Sequence, residues 1–205
     1  MKKYELTIGK KFDNGKILKQ VKALVSFGNV KAGELGGWIE SENNLSQDGN
    51  AWVYGNARVY EGARVCGDAK VYGDAGVFGD AWVYGNARVY GDAKVYGDAR
   101  VYGDARVYGD ADVYGNARVY EDARVSKQTH CFTIGPIGSR SSYTTFYRND
   151  KNGISVRCGC FSGTIEEFKE KAKETHRDGK HAKTYLAAAE LAKMQIELDE
   201  PENQE

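Results

Sequence analysis

The side chain that titrates near neutrality is rare in this chain and lies outside its regular middle. Histidine occurs three times, as His130, His176 and His181. An imidazole titrates near neutrality and works as a general base when it comes within hydrogen-bond reach of the acceptor. Of the three, His130 stands closest to the regular block and is the one placed to reach a neighbouring subunit. Cys131, Cys158 and Cys160 are, with the imidazoles, zinc-ligand types, but Cys158-Gly-Cys160 matches no paired Cys-x-x-Cys spacing. The two thiols read as small apolar residues sharing one face of a strand. Asp74, Asp92 and Asp110 recur every eighteen residues, as do Asp68, Asn86, Asp104 and Asp122. Stacked carboxylates suit calcium, yet Asp and Asn at turns satisfy backbone groups and tolerate left-handed backbone, which is the simpler account. No catalytic residue, metal or cofactor is assigned on these grounds.

Tyr and Arg offer a different chemistry. At the same eighteen-residue interval Tyr54, Tyr72, Tyr90 and Tyr108 form one series, Tyr60, Phe78, Tyr96 and Tyr114 a second, and Tyr84, Tyr102 and Tyr120 a third. Beside them run Lys70, Arg88, Arg106 and Arg124, and also Arg64, Arg100 and Arg118. These residue types are enriched at protein-interface hot spots and also make base-stacking platforms. Charge decides between the two uses: residues 49–126 hold nine Lys and Arg against eleven Asp and Glu, whereas tracking a phosphate backbone needs clustered positive charge. Nucleic acid is therefore disfavoured, and Arg88, Tyr90, Arg106, Tyr108 and Arg124 are the candidate contacts for a protein partner.

What positions these series is a hexapeptide, Gly-Asp/Asn-Ala-x-Val-Tyr, repeated thirteen times without insertion from Gly49 to Ser126. Side chains two apart on an extended segment share a face, so Ala and Val point inward while x and Tyr point outward. Gly-Asp or Gly-Asn makes the corner. Strict short-period repetition is the mark of a solenoid whose units stack on one another. With an aliphatic residue followed four positions later by a small one, as in Val71 and Ala75, the pattern resembles the hexapeptide-repeat family of left-handed parallel β-helices. That resemblance implies three hexads per coil. It also implies an alternative function, since well-known members are acyltransferases using a coenzyme A thioester and a His base at a subunit cleft. Here the base would be His130, and the unbroken hexads leave no loop to wall a coenzyme pocket.

The flanks complete a mainly β plan. Residues 1–48 are expected to form a hairpin, turning at Asn14-Gly15, and capping rungs in which Ile39 and Leu45 keep the six-residue step and Trp38 covers the open end. Residues 49–137 form the repeat block, in which Cys131 and Ile137 carry a fading register. Residues 138–198 form a small ββαα unit with strands near 141–148 and 153–161. Thr164 and Glu167 make a capping box for its first helix, Gly179 stops that helix, and a second spans about 181–198. Residues 199–205 are an acidic tail. The segments Tyr4-Glu-Leu-Thr, Gly33 to Ser46, Ile134-Gly-Pro-Ile-Gly-Ser139 and Gly153 to Gly163 look like the ends of uncharacterised hexapeptide-repeat proteins encoded in phages and prophages.

Net charge is zero over 205 residues, so no overall field points to nucleic acid or membrane. No apolar run approaches a bilayer span, and the start lacks a secretion signal. Four Cys without a paired framework fit a reducing compartment. A cytoplasmic location in a bacterial host is expected. The reading is a non-enzymatic, phage-related protein that binds a host or phage protein, one version being a counter-defence inhibitor of a host nuclease or immune complex, with a structural phage component as a further alternative. Long outward aromatic series predict a homo-oligomer, dimer or trimer.

Overall fold

A computed structural model describes residues 1–199; residues 200–205, most of the expected acidic tail, lie outside the described residues. Strands β1 (Tyr4–Asp13) and β2 (Lys16–Ala23) pair antiparallel. Their turn is Asn14-Gly15, with φ of 45° and 77°, the double positive φ that a two-residue hairpin of this hand demands. Strand β3 (Leu35–Ile39) joins β2 antiparallel on one side and enters the solenoid parallel on the other, with Ile39 level with Val59.

The hexads supply thirteen two-residue strands at six-residue steps, from β4 (Trp52–Val53), β5 (Arg58–Val59) and β6 (Arg64–Val65) to β16 (Arg124–Val125). Every third strand pairs in parallel, giving the series β3-β5-β8-β11-β14, β4-β7-β10-β13-β16 and β6-β9-β12-β15. Leu45 bridges to Val65 and adds the first rung of the last series. The architecture is thus a parallel β-solenoid, as the hexapeptides imply, and Ile39 and Leu45 do open it. Backbone N–H groups reach carbonyls seventeen residues on: Arg88 to Ala105 at 2.9 Å, Tyr90 to Val107 at 2.9 Å, Asp92 to Gly109 at 3.0 Å. The Val and Ala of all thirteen hexads are at most 2% exposed. At the corners Gly91 has φ of 72°, and a Cβ there would sit 2.9 Å from the Gly109 nitrogen, so that corner favours glycine, while Glu61 and Glu121 hold the same left-handed position at φ 59° and 52°.

Both ends of this core are plugged. At the start the covering ring is Trp52, not Trp38. Trp52 occupies an outward hexad position yet is fully buried, because the hairpin and the loop after it fold over that first rung and set Tyr4 and Phe27 edge-on against it at 6.1 and 5.3 Å. Trp38 stays partly exposed beneath the Lys11 ammonium, 5.7 Å from its ring. The chain can cross this end because residues 36 and 37 are glycines: a Cβ on Gly36 would lie 2.5 Å from both Val21 Cγ2 and the Val53 carbonyl oxygen. Tyr4 Oη donates to the Leu45 carbonyl at 2.6 Å, and Lys3 Nζ donates to the Ala51 carbonyl at 3.0 Å.

The far end corrects two expectations. Cys131–Ile137 is not a fading rung but strand β17, which pairs antiparallel with β18 (Ser142–Arg148). With β19 (Ile154–Cys158) and β20 (Phe161–Thr164) these make a four-stranded antiparallel sheet where two strands were expected. Cys158 ends β19 and Cys160 lies in the turn after it, so the two thiols do not share a strand face. Strand β18 lies against the last coil: Tyr147 is 1% exposed in the solenoid core, the Arg118 N–H donates to Thr145 Oγ1 at 3.0 Å, and Ala123 bridges to Asn149.

Helices α1 (Ile165–His176) and α2 (Lys180–Gln195) cover this sheet through Phe168, Ala172, Tyr185, Ala189 and Ala192. The capping box forms as expected, with the Glu167 N–H donating to Thr164 Oγ1 at 3.2 Å and the Thr164 N–H to Glu167 Oε2 at 2.8 Å. Gly179 caps the start of α2; the left-handed residue after α1 is Arg177, at φ 49°.

Val89→Asp should lower unfolding stability by on the order of 3 kcal/mol or more, since it buries an unpaired carboxylate in a narrow apolar core. Tyr90→Ser, which removes an outward ring, should cost about 1 kcal/mol. Urea midpoints of the two variants check the inside-outside assignment.

Candidate functional site

The parallel ladder brings the candidate residues together. Arg88 is level with Lys70 on one side and with Arg106 on the other, and Arg106 with Arg124. Two residues along the same strands the rings stack almost parallel, Tyr72 on Tyr90 at 4.7 Å and Tyr90 on Tyr108 at 5.1 Å. These distances follow the ~4.8 Å spacing of neighbouring strands. The other two series stack likewise, Tyr60 to Tyr114 at 5.1, 5.0 and 5.4 Å and Tyr84 to Tyr120 at 4.8 and 4.4 Å. Burial first, and then the neighbouring Tyr90, hold the Tyr72 phenol above its ordinary range against the opposing pull of Arg88 and Arg106. The Tyr84 phenol is raised by burial and by Tyr102 in the same way. The two rings are neutral at physiological pH.

The cations differ in freedom. Arg88 and Arg106 are exposed. Arg124 is half-buried and engaged: its guanidinium donates to the carbonyls of Ala123 at 2.8 Å and Asp104 at 3.3 Å and lies 3.8 Å from the Asp150 carboxylate. Between this column and the next corner runs a groove of about 350 Å³ bordered by Asp68, Asn86 and Asp104 opposite Lys70, Arg88 and Arg106. Corner amides relieve carboxylate repulsion there, with Asn50 Nδ2 donating to Asp68 at 2.7 Å and Asn86 Nδ2 to Asp104 at 3.0 Å. Asp122, the last of the column, has its carboxyl raised by burial and then by the charge of Asp150.

One candidate residue of a second face escaped the sequence reading. Trp82 lies between Arg64 and Arg100, whose guanidinium carbons stand 5.3 and 5.7 Å from its ring, a cation–π sandwich. The signal was present, because residues 64, 82, 100 and 118 are one eighteen-residue series.

The three imidazoles are not gathered. His130 is 1% exposed; its Nδ1 lies 3.3 Å from the Ser126 backbone nitrogen and 3.2 Å from Ser126 Oγ, and its Nε2 is buried without a partner. Burial first, then the charges of Arg148 and Lys127, lower its pKa. Such a ring is a neutral part of the terminal plug. His176 and His181 meet each other edge-on at 5.6 Å on the helical unit. Nor do the thiols converge: Cys158 accepts from Thr144 Oγ1 at 3.2 Å, Cys160 is exposed, and Cys131 abuts the solenoid core. Among the described residues no three potential metal ligands cluster, and no helix is long and apolar enough to cross a membrane.

A family described as YdcK Beta solenoid repeat matches residues 51–67, 81–97, 93–109, 99–113 and 111–127. The repeats are similar to those of a β-solenoid family. A relative in Escherichia coli (strain K12), "Uncharacterized acetyltransferase YdcK", is 47% identical over 38 residues, which is 18% of this chain and 12% of the relative. The shared part is thus a small fraction of either protein.

Thiol chemistry checks the end plug. Burial pushes the Cys131 thiol up to about 12, whereas Cys160 is exposed. Iodoacetamide at pH 8 should alkylate the exposed Cys160 faster than the partly buried Cys131, and denaturant should remove the difference, as peptide mass mapping would show.

Proposed function

We propose that this chain is a non-enzymatic binding protein that holds a macromolecular partner against the face carrying Lys70, Arg88, Arg106 and Arg124 beside Tyr72, Tyr90 and Tyr108. The observation that carries the reading is the stacking of that Tyr column next to two exposed arginines. Rings fixed by their neighbours lose little freedom on binding, so more of the contact energy remains as affinity. Tyr and Arg are also the side chains from which interface anchors are built. Near-balance of charge over the whole repeat block, nine Lys and Arg against eleven Asp and Glu in residues 49–126, favours a protein surface over a phosphate backbone. The resemblance of the flanks to phage and prophage proteins supports the finer version, a counter-defence protein that blocks a host nuclease or immune complex in the bacterial cytoplasm.

A second reading, acetyl transfer from coenzyme A, takes its support from the printed name of the Escherichia coli relative. Burial of His130 counts against that residue as the base, since a general base must reach its acceptor.

Pull-down from host lysate with the wild-type chain, followed by mass spectrometry, identifies the partner. Arg88→Ala, Arg106→Ala and Tyr108→Ala together should weaken its capture by tenfold or more, at ~2 kcal/mol for an anchor. His176→Gln with His181→Gln should leave capture unchanged, with circular dichroism confirming that both variants fold. Acetyl-coenzyme A turnover lost with the His variant would establish the enzyme reading instead.

Self-association is proposed through a face of the prism or through the C-terminal helices. Light scattering at micromolar concentration should return a multiple of 22.6 kDa; the monomer mass would remove the oligomer from the proposal.

A further inference from the structure

The terminal unit holds a cavity of about 400 Å³ between the tip of its sheet and helices α1 and α2. It shares no residue with the Arg and Tyr face, so its chemistry is independent of the function proposed for that face. Its floor is aromatic. Phe161 and Phe168 lie 5.6 Å apart at 53°, and Phe168 meets Tyr185 edge-on at 5.5 Å. Phe168 and Tyr185 are 4% and 7% exposed, so the floor is packed from behind and fixed.

The rim carries two cations, Arg140 and Lys171, beside the His176 ring. Arg140, Lys171 and His176 line the opening, and no Asp or Glu does. The Lys171 ammonium pairs with Glu174 at 2.7 Å on its own helix, outside the lining. Arg140 is exposed, and its guanidinium lies 3.9 Å from Cys160 Sγ without an ion pair among the described residues. His176 packs 5.7 Å from Tyr185.

The shape is built by the backbone. Gly138 has φ of 72°, and a Cβ there would collide with Tyr185 Oη. Only glycine lets the β17–β18 turn close over the phenol and deliver Arg140 to the rim. Enclosed apolar walls with a few convergent polar groups are the usual form of a small-molecule site. Aromatic walls favour a ring laid against them, and at one side the Arg140 guanidinium, which has no ion pair among the described residues, with Lys171 beside it favours an anionic substituent.

We infer that this cavity binds a small planar aromatic anion, its ring against Phe161, Phe168 and Tyr185 and its anionic group at Arg140, Lys171 and His176. A carboxylate and a phosphate present the same chemistry to this rim, and a titration separates them. The full-length chain is titrated calorimetrically with benzoate, indole-3-acetate and adenosine monophosphate, with benzamide and adenosine as uncharged controls. Saturable binding of an aromatic carboxylate identifies one source and binding of the nucleotide the other; the matching neutral control should bind roughly tenfold or more weakly, the loss of about one charge-assisted hydrogen bond. Arg140→Ala with Lys171→Ala should weaken the bound anion by a similar factor, and Ala172→Trp, which fills the floor, should abolish binding. Circular dichroism verifies folding, and if Ala172→Trp fails to fold the exposed Arg140 and Lys171 pair decides. The inference is overturned if none of the three anions saturates at millimolar concentration, if the neutral controls bind as tightly, or if the Arg140 and Lys171 variant binds like wild type.

Discussion

The parallel backbone ladder, in which each coil hydrogen-bonds to the coil seventeen to eighteen residues ahead, is the constraint on which everything else in this protein depends. It works only if every coil is of equal length, so the corners must all turn alike. Gly91 meets that need where a side chain would strike the corner above, and Glu61 and Glu121 keep the same left-handed turn in their hexads. The ladder also leaves a core only one Val and one Ala deep from each wall. Such a core has no spare volume with which to absorb a defect, and it is open at both ends.

The ends are where the irregular sequence is used. An exposed terminal coil presents apolar side chains and unpaired backbone groups together. At the start the hairpin and the loop after it answer both, setting Tyr4 and Phe27 on Trp52 while Lys3 and the Tyr4 hydroxyl take up free carbonyls. At the finish β18 supplies Tyr147 to the core and Thr145 to the Arg118 amide. His130, placed where a catalytic base would be sought, belongs to this plug. The same sheet that closes the solenoid carries helices α1 and α2 on its other side, and its hairpin tips wall the aromatic cavity. Closure of the solenoid and construction of the cavity are thus tasks of one small unit.

Outside the core, the ladder imposes its spacing on whatever side chains the hexads carry. Rings at the Tyr positions have no option but to stack near the strand separation, and their packing shields the phenols. Like charges in the cationic columns are held equally close, and they are tolerated because guanidinium groups reach corner carbonyls, as Arg124 does at Asp104, or a tryptophan, as Arg64 and Arg100 do at Trp82. The result is a surface ordered before any partner arrives.

The hexapeptide by itself determined the solenoid, which side chains face in or out, and the stacked columns with their members Arg88, Tyr90, Arg106, Tyr108 and Arg124; short local motifs did the same for the Asn14-Gly15 hairpin and the Thr164 capping box. All of these follow from local geometry or a fixed period, so residue type and spacing suffice. Only the tertiary structure decided that Trp52 and not Trp38 plugs the first coil, that Cys131–Ile137 leaves the solenoid for an antiparallel sheet, that His130 is enclosed, and that residues from the β17–β18 turn to α2 surround one cavity. Each of those outcomes depends on a segment folding back over residues distant in the chain. Periodicity carries no information about where such a segment lands, because an outward position becomes an inward one as soon as something covers it.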